Sequence, residues 1–288
     1  MSLLLAAVGF GLITSAVLAI AAVGFTLQFA VTDVLNLAFA AVMTAGAFTA
    51  YLVNTAGLSV WAGLVAGMAA GSLLSALLNY LVYSPFQRRG AAPITMVIVS
   101  LGMALVVEFG IAALAGGVGV SYRMSQGTTL RLGGLVLTTV QITIIAISIV
   151  VMAGVHVLLR YTRLGKAMRA TAANRMLARN CGIRTGRVIA VTWAVTGALC
   201  GLAGTVFGID VGTFDSSSTD IFLILILAAV FLGGPGHAYA AMLGALVIGL
   251  ATEVSAAYIP ADYKYVVAFV ILLAMLAARP SGLLGART

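Results

Sequence analysis

The chain has 288 residues, of which 62 % are hydrophobic and 8 % charged, and its mean hydropathy is +1.18. Soluble domains run at about 45–50 % apolar and about 25 % charged, so a water-facing globule is excluded and the chain is expected to be a polytopic, all-α membrane protein. A net charge of +8, from 15 Lys+Arg against 7 Asp+Glu, would suggest nucleic acid in a soluble protein. No aromatic-interleaved basic surface accompanies that charge here, so no nucleic-acid partner is expected.

A spanning helix needs about 20 apolar residues. Candidate segments in chain order are Leu3–Ala30, Leu35–Val53, Val60–Tyr83, Pro93–Ala115, Leu135–Leu159, Val188–Gly208, Ile221–Leu232, Ala238–Tyr258 and Tyr265–Ala278. The start lacks the basic n-region of a signal peptide, so Leu3 onward is read as structure. A first interruption falls at Thr32-Asp33, with Asn36 just after it. Ile221–Leu232 is too short to cross alone and reads as a half-helix broken by Gly233, Gly234, Pro235 and Gly236. Broken helices at membrane depth are tolerated where protein or a water-filled cavity satisfies the freed backbone. The expectation is one domain over residues 1–288, with about eight to ten segments including broken ones.

Basic residues set the orientation. Eight of the 15, namely Arg160, Arg163, Lys166, Arg169, Arg175, Arg179, Arg184 and Arg187, bunch in one loop of about residues 160–187. The positive-inside rule assigns that loop and Arg88-Arg89 to the cytoplasm. Helix parity then puts Gly116–Gly133 and the Asp210, Asp215, Asp220 loop outside. Gly63, Gly67 and Gly71 on one helix, and Gly197/Gly201 with Gly204/Gly208 on another, are spaced for close helix packing. Packing within the chain is the simpler reading than a subunit interface.

The chemistry is sparse. Leu164-Gly165-Lys166-Ala167 is only a near miss to a phosphate loop, lacking the upstream Gly and the magnesium-binding hydroxyl. His156 and His237 are isolated, Cys181 and Cys200 suggest neither disulfide nor metal pair, and no nucleophile elbow is present. No catalytic residues, metal or cofactor of the chain's own are expected. Any uphill movement of a solute would then draw on a partner or a coupled ion. Glu108 and Glu253 lie inside apolar segments and Asp33 at a break, which makes each a functional candidate. A structural hydrogen bond is the competing reading, and the stronger one for Glu253.

Within the basic loop, Gly165–Asn174 leads into Arg175–Asn180 and a Gly182 stop, a helix of good formers ending at a C′ glycine. Its small residues Ala170, Ala173 and Ala178 leave it thin enough to enter a groove on another protein. Lipid docking is the alternative, but no Trp, Phe or Leu stripe supports it.

The loop Arg163–Asn180, with Gly182-Ile183 and Arg187-Val188-Ile189-Ala190, resembles the coupling-helix region of permeases from branched-chain amino acid ABC importers. Asn36-Leu37-Ala38, Val82-Tyr83-Ser84-Pro85, Ser100-Leu101-Gly102-Met103, Leu232–Gly236, Glu253 with Ala257-Tyr258, Tyr263–Val267 and Arg279–Gly285 carry the resemblance over nearly the whole length. It implies a complex with a second permease, two cytoplasmic ATPases that hold ATP and Mg, and an extracytoplasmic binding protein. The site would be the bacterial plasma membrane. The coupling element would be Gly165, Lys166, Arg169, Ala170, Ala173, Asn174, Ala178 and Gly182. The substrate pathway is expected to involve Asn36, Phe39, Ser100, Glu108 and Phe214, and the cargo to be a small hydrophobic amino acid or related solute. Three positions depart from the family pattern. Phe39-Ala40 stands where His-Gly is common, Leu225 where a Lys is common, and Ala173-Asn174 where an acidic pair is common. An ion-coupled transporter and a passive channel remain as rivals.

Overall fold

A computed structural model of the chain describes residues 2–115, 117–124, 127–132, 135–260, 263–278 and 282–283. The elements are α1 (Ser2–Thr32), α2 (Phe39–Thr55), α3 (Val60–Leu78), a π-helical turn (Asn79–Tyr83), α4 (Ser84–Arg88), α5 (Pro93–Ala115), β1 (Val120–Ser121), β2 (Thr129–Leu132) and β3 (Leu135–Thr138). They continue with α6 (Thr139–Tyr161), α7 (Arg163–Ala173), α8 (Arg175–Asn180), α9 (Thr185–Val211), β4 (Thr213–Phe214), α10 (Ser218–Gly233), α11 (Ala238–Ala256) and α12 (Lys264–Ala278). Among the described residues, six helices are long and apolar enough to cross a membrane, and α2, α10 and α12 are shorter apolar helices. The protein is a polytopic helical membrane bundle. At 1.5 Å per residue the 16 residues of α10 reach only about 24 Å, short of a bilayer core of about 30 Å.

The chain packs as two compact units, one from Met1–Thr26, Met124–Val151 and Ile221–Thr288, the other from Leu27–Arg123 and Met152–Asp220. In the second unit, α2, α3 and α9 meet through glycine. A Cβ at Gly201 would fall on the Gly67 carbonyl, one at Gly71 on the Gly197 carbonyl, and one at Gly204 on the Met43 carbonyl. The spaced glycines therefore serve packing within the chain. Lipid supplies no hydrophobic drive between helices, so close backbone approach and the hydrogen bonds it permits take over. Ser75 donates to the Trp193 carbonyl at 2.8 Å, and Thr205 of α9 donates to the Gly46 carbonyl of α2 at 3.4 Å.

β1 and β4 pair antiparallel, Val120 opposite Phe214. This joins the two loops that charge and parity assign to the outer face. Phe214 is buried and packs on Phe48, with ring centroids 5.4 Å apart, and on Tyr122 at 5.2 Å. Asn54, near the end of α2, accepts from the Arg123 backbone N–H at 2.7 Å.

In the first unit, β2 and β3 form a hairpin with Thr129 opposite Thr138. This corrects the expected start of the fifth segment, because Leu135–Thr138 is strand and the helix begins at Thr139. The segment Leu-Val-Leu-Thr has a paired partner strand, and that satisfies its backbone without a helix. α10 and α11 pack through Gly233 against the Ala240 carbonyl and Gly244 against the Ala229 carbonyl. Gly234 and Gly236 take φ of 120° and 90°, which ends α10 where the sequence places the break. Leu283 N–H donates to the Leu232 carbonyl at 2.9 Å, satisfying a carbonyl that the break frees. Glu253 accepts from Thr14 Oγ1 at 3.2 Å and from Lys264 Nζ at 3.5 Å, a structural pairing.

Candidate functional site

The break after α1 gathers a cluster of buried polar side chains. The chain leaves α1 at Thr32, whose hydroxyl bonds the Gln28 carbonyl at 2.7 Å. Asp33 turns it with φ 56°, the left-handed region that costs a non-glycine residue energy. Asn36 then starts α2, its Oδ1 accepting from the Ala38 N–H at 3.1 Å. The same oxygen accepts from the Tyr83 hydroxyl at 2.7 Å, and Asn36 Nδ2 donates to Gln28 Oε1 at 3.4 Å. From α5, Ser100 Oγ accepts from the Leu37 N–H at 3.1 Å and donates to the Leu35 carbonyl at 3.2 Å. The non-helical backbone of the break is thus satisfied by side chains, as membrane depth demands.

Tyr83 and Trp193, both fully buried, stack with ring centroids 4.5 Å apart. Tyr83 closes the π-helical turn that Asn79 opens, a widened turn of a kind found at functional positions. The cluster lies toward the end of these helices that carries Arg88 and Arg187, five to six residues beyond Tyr83 and Trp193 in each helix.

Asn36 and Ser100 are therefore brought together, with Phe39 beside them at the start of α2, its carbonyl accepting from Cys200 Sγ at 3.0 Å. Glu108 lies about 12 Å further along α5, at 1.5 Å per residue, with the Asp220 carboxyl beside it. Phe214 belongs to the aromatic cluster with Phe48 and Tyr122. Burial raises the Tyr122 hydroxyl above the usual range, and it donates to the Ala47 carbonyl at 3.0 Å. The five expected pathway residues thus fall in two groups. Gln28, Asn79 and Trp193 escaped sequence reasoning, and Tyr83 entered it only within Val82-Tyr83-Ser84-Pro85. The available signal was an uncharged amide in an apolar run, which a search for charges passes over.

The basic loop folds as two helices and not as one. Thr162 caps α7, accepting from the Gly165 N–H at 3.0 Å. Asn174, extended at φ −159° and ψ 104°, caps α8 by accepting from the Leu177 N–H at 2.9 Å. A side-chain acceptor that competes with the helical carbonyl divides the expected continuous helix. Gly182, at φ 84°, closes α8. Its N–H bonds the Arg179 carbonyl, and the Ile183 N–H bonds the Ala178 carbonyl, both at 3.0 Å, a Schellman stop. Gly165 is buried against the Leu158 and Leu159 backbone, and Ala178 is buried as well. Lys166, Arg169, Ala173 and Asn174 are exposed, and Ala170 is half-buried. Met176 and Leu177, 77 % and 60 % exposed, add an apolar tip between Arg175 and Arg179.

Comparison with known proteins adds the family. Residues 7–276 match the permease component of branched-chain amino acid transport systems. The high-affinity branched-chain amino acid transport system permease protein LivH of Escherichia coli K12 is 27 % identical over 93 % of this chain and 91 % of its own. BraD of Pseudomonas aeruginosa, of the same description, is 29 % identical over 96 % and 94 %. The galactofuranose transporter permease YtfT of Escherichia coli is 26 % identical over 91 % and 76 %. In fold, the chain is similar to PsaBC from Streptococcus pneumoniae in complex with Fab, at a TM-score of 0.51 and 14 % identity over 93 % and 90 % of the two chains.

Proposed function

The chain belongs to the branched-chain amino acid transport permease family, and from that membership we propose that it is the membrane-spanning subunit of an ATP-driven importer in the bacterial inner membrane. Its partners are a second permease, two ATPases that bind ATP and Mg, and an extracytoplasmic binding protein. The cargo is a small hydrophobic amino acid. Support for that cargo over a sugar comes from the relatives. LivH and BraD align over 91 % and 94 % of their lengths, YtfT over 76 %.

The observation that carries the reading is the α7–α8 pair. It presents Lys166, Arg169, Arg175 and Arg179 to solvent around exposed Met176 and Leu177, and both helices are rigidly capped. A rigid, basic helix pair with an apolar tip suits insertion into a groove on an ATPase, where nucleotide-driven closure pushes on α9 and moves the helices that α9 packs against. The carboxyl pair Glu108–Asp220 favours the rival reading of ion coupling, and one experiment separates the two. The tagged protein is purified in mild detergent and its companions identified by mass spectrometry. Two ATPases and a second permease are expected. Recovery of the chain alone, even after cross-linking, would overturn the importer and move attention to the carboxyl pair.

A further inference from the structure

Three buried polar atoms of the second unit have no hydrogen-bond partner among the described residues: Gln28 Nε2, Asn79 Oδ1 and Trp193 Nε1. Buried polar atoms are almost always paired, because an unpaired one keeps the full cost of leaving water. Here three occur in one neighbourhood. Trp193 stacks on Tyr83, Tyr83 bonds Asn36, Asn36 bonds Gln28, and Asn79 opens the π-helical turn that Tyr83 closes. Local strain marks the same place, in the φ of 56° at Asp33 and in the π turn itself. Unpaired atoms in a strained, fully buried cluster are costly as pure structure, and their cost is recovered when a ligand satisfies them.

The geometry points to a binding site for the head-group of a zwitterion at the inward end of the bundle. Gln28 and Trp193 supply N–H donors for a carboxylate, and Asn79 supplies a carbonyl acceptor for an ammonium. The donor set decides the ligand class. An indole N–H donates only, and an amide oxygen accepts only, so the ligand must carry both acceptor and donor. Gln28, Asn36, Asn79, Tyr83, Ser100 and Trp193 are all uncharged, and the carboxylate of the break, Asp33, is exposed. A ligand of net charge would therefore be buried without a counter-ion, against a large desolvation penalty. A zwitterion carries its own counter-charge. The aromatic faces of Tyr83 and Trp193 and the nearby Phe39 suit an apolar side chain on the same ligand. This inference rests on the importer reading and names where its cargo is held before release.

The test uses Trp193 itself. The chain has two tryptophans, and Trp61→Phe, at a surface position 40 % exposed, leaves Trp193 as the only indole. The full-length W61F protein, alone in nanodiscs, is titrated with leucine, valine, phenylalanine and alanine. 4-Methylpentanoate and leucinamide, which each lack one of leucine's two charges, and galactose follow. A saturable change in Trp193 emission is expected with at least one amino acid, and at least tenfold weaker apparent affinity for the others. No response to any amino acid, or equal response to the singly charged analogues, would overturn the site. A second arm measures ATP-dependent uptake of the responding amino acid into proteoliposomes. Trp193→Phe keeps an aromatic ring and removes the indole N–H, and with Gln28→Met it should lower uptake at least tenfold with no fall in melting temperature. Unchanged uptake with a raised melting temperature would mean that the unpaired atoms are packing defects, and the site would fall. If the parent protein lacks ATP-dependent uptake, the importer reading fails, whereas the emission titration still decides the site.

Discussion

Gly201 shows how little room the α3–α9 contact leaves. Any Cβ there meets the Gly67 backbone, and backbone cannot swing aside. Overpacking of this kind costs about 1–3 kcal/mol or more. Gly201→Val is therefore expected to lower the melting temperature of the detergent-solubilised protein sharply. Gly186 is the control, since it is helical, exposed and has no neighbour within 4 Å. Gly186→Ala should leave stability unchanged or raise it by about 0.5–1 kcal/mol, because alanine loses less backbone entropy on forming a helix. Asp215 offers a different residue-scale test. Hydrogen bonds, first from the Ser218 hydroxyl and then from Ser217, outweigh its partial burial and hold the carboxyl below the usual range. A carboxyl with a lowered folded pKa stabilises the fold above its unfolded value of about 3.9, and that contribution is lost as pH falls through the folded value. Melting curves of Asp215→Ala and of the parent should therefore converge below about pH 3.9, the variant being less stable at neutral pH.

At the scale of elements, the caps decide whether the basic loop behaves as a rod. Asn174→Ala removes the acceptor for the Leu177 N–H, and a lost cap costs about 1 kcal/mol. The expected outcome is faster hydrogen exchange at the amides of 175–180, with α9 unaffected. If α8 transmits the ATPase stroke, ATP hydrolysis should persist while uptake falls several-fold. Equal loss of both would place Asn174 in the ATPase contact itself. The caps were partly legible in the sequence, and Gly182 closes α8 as its position suggests. The division at Asn174 was not legible. Asparagine within a run of helix formers reads as a weak interior residue until its side chain is seen bonding the next helix. The strand Leu135–Thr138 was missed for a similar reason. Three apolar residues and a threonine next to a long apolar run carry no period of their own, and only the partner strand distinguishes them.

For the molecule as a whole, the energy source is the decisive property. Neutralising Glu108, Glu253 and Asp33 together should leave ATP-driven uptake within a few-fold of the parent. Asp33→Asn retains tolerance of the left-handed backbone, while Glu108→Gln and Glu253→Gln keep hydrogen-bonding capacity. Abolition of uptake in the triple variant would support ion coupling instead. Composition alone established a membrane protein, because a chain with 8 % charge cannot cover a water-facing surface. The positions of both helix breaks and of the basic loop were equally legible, since glycine, proline and clustered arginine act locally. What required the tertiary structure was the company each residue keeps. Asn36 and Ser100 could be singled out as polar residues in apolar runs, but Gln28, Asn79, Tyr83 and Trp193 are ordinary in their own segments. Packing brings the hydroxyl of one, the amide of another and the indole of a third into one buried cluster. A hydrogen bond depends on distances across helices, which sequence spacing does not encode, so only the folded bundle decides which polar atoms are paired and which await a ligand.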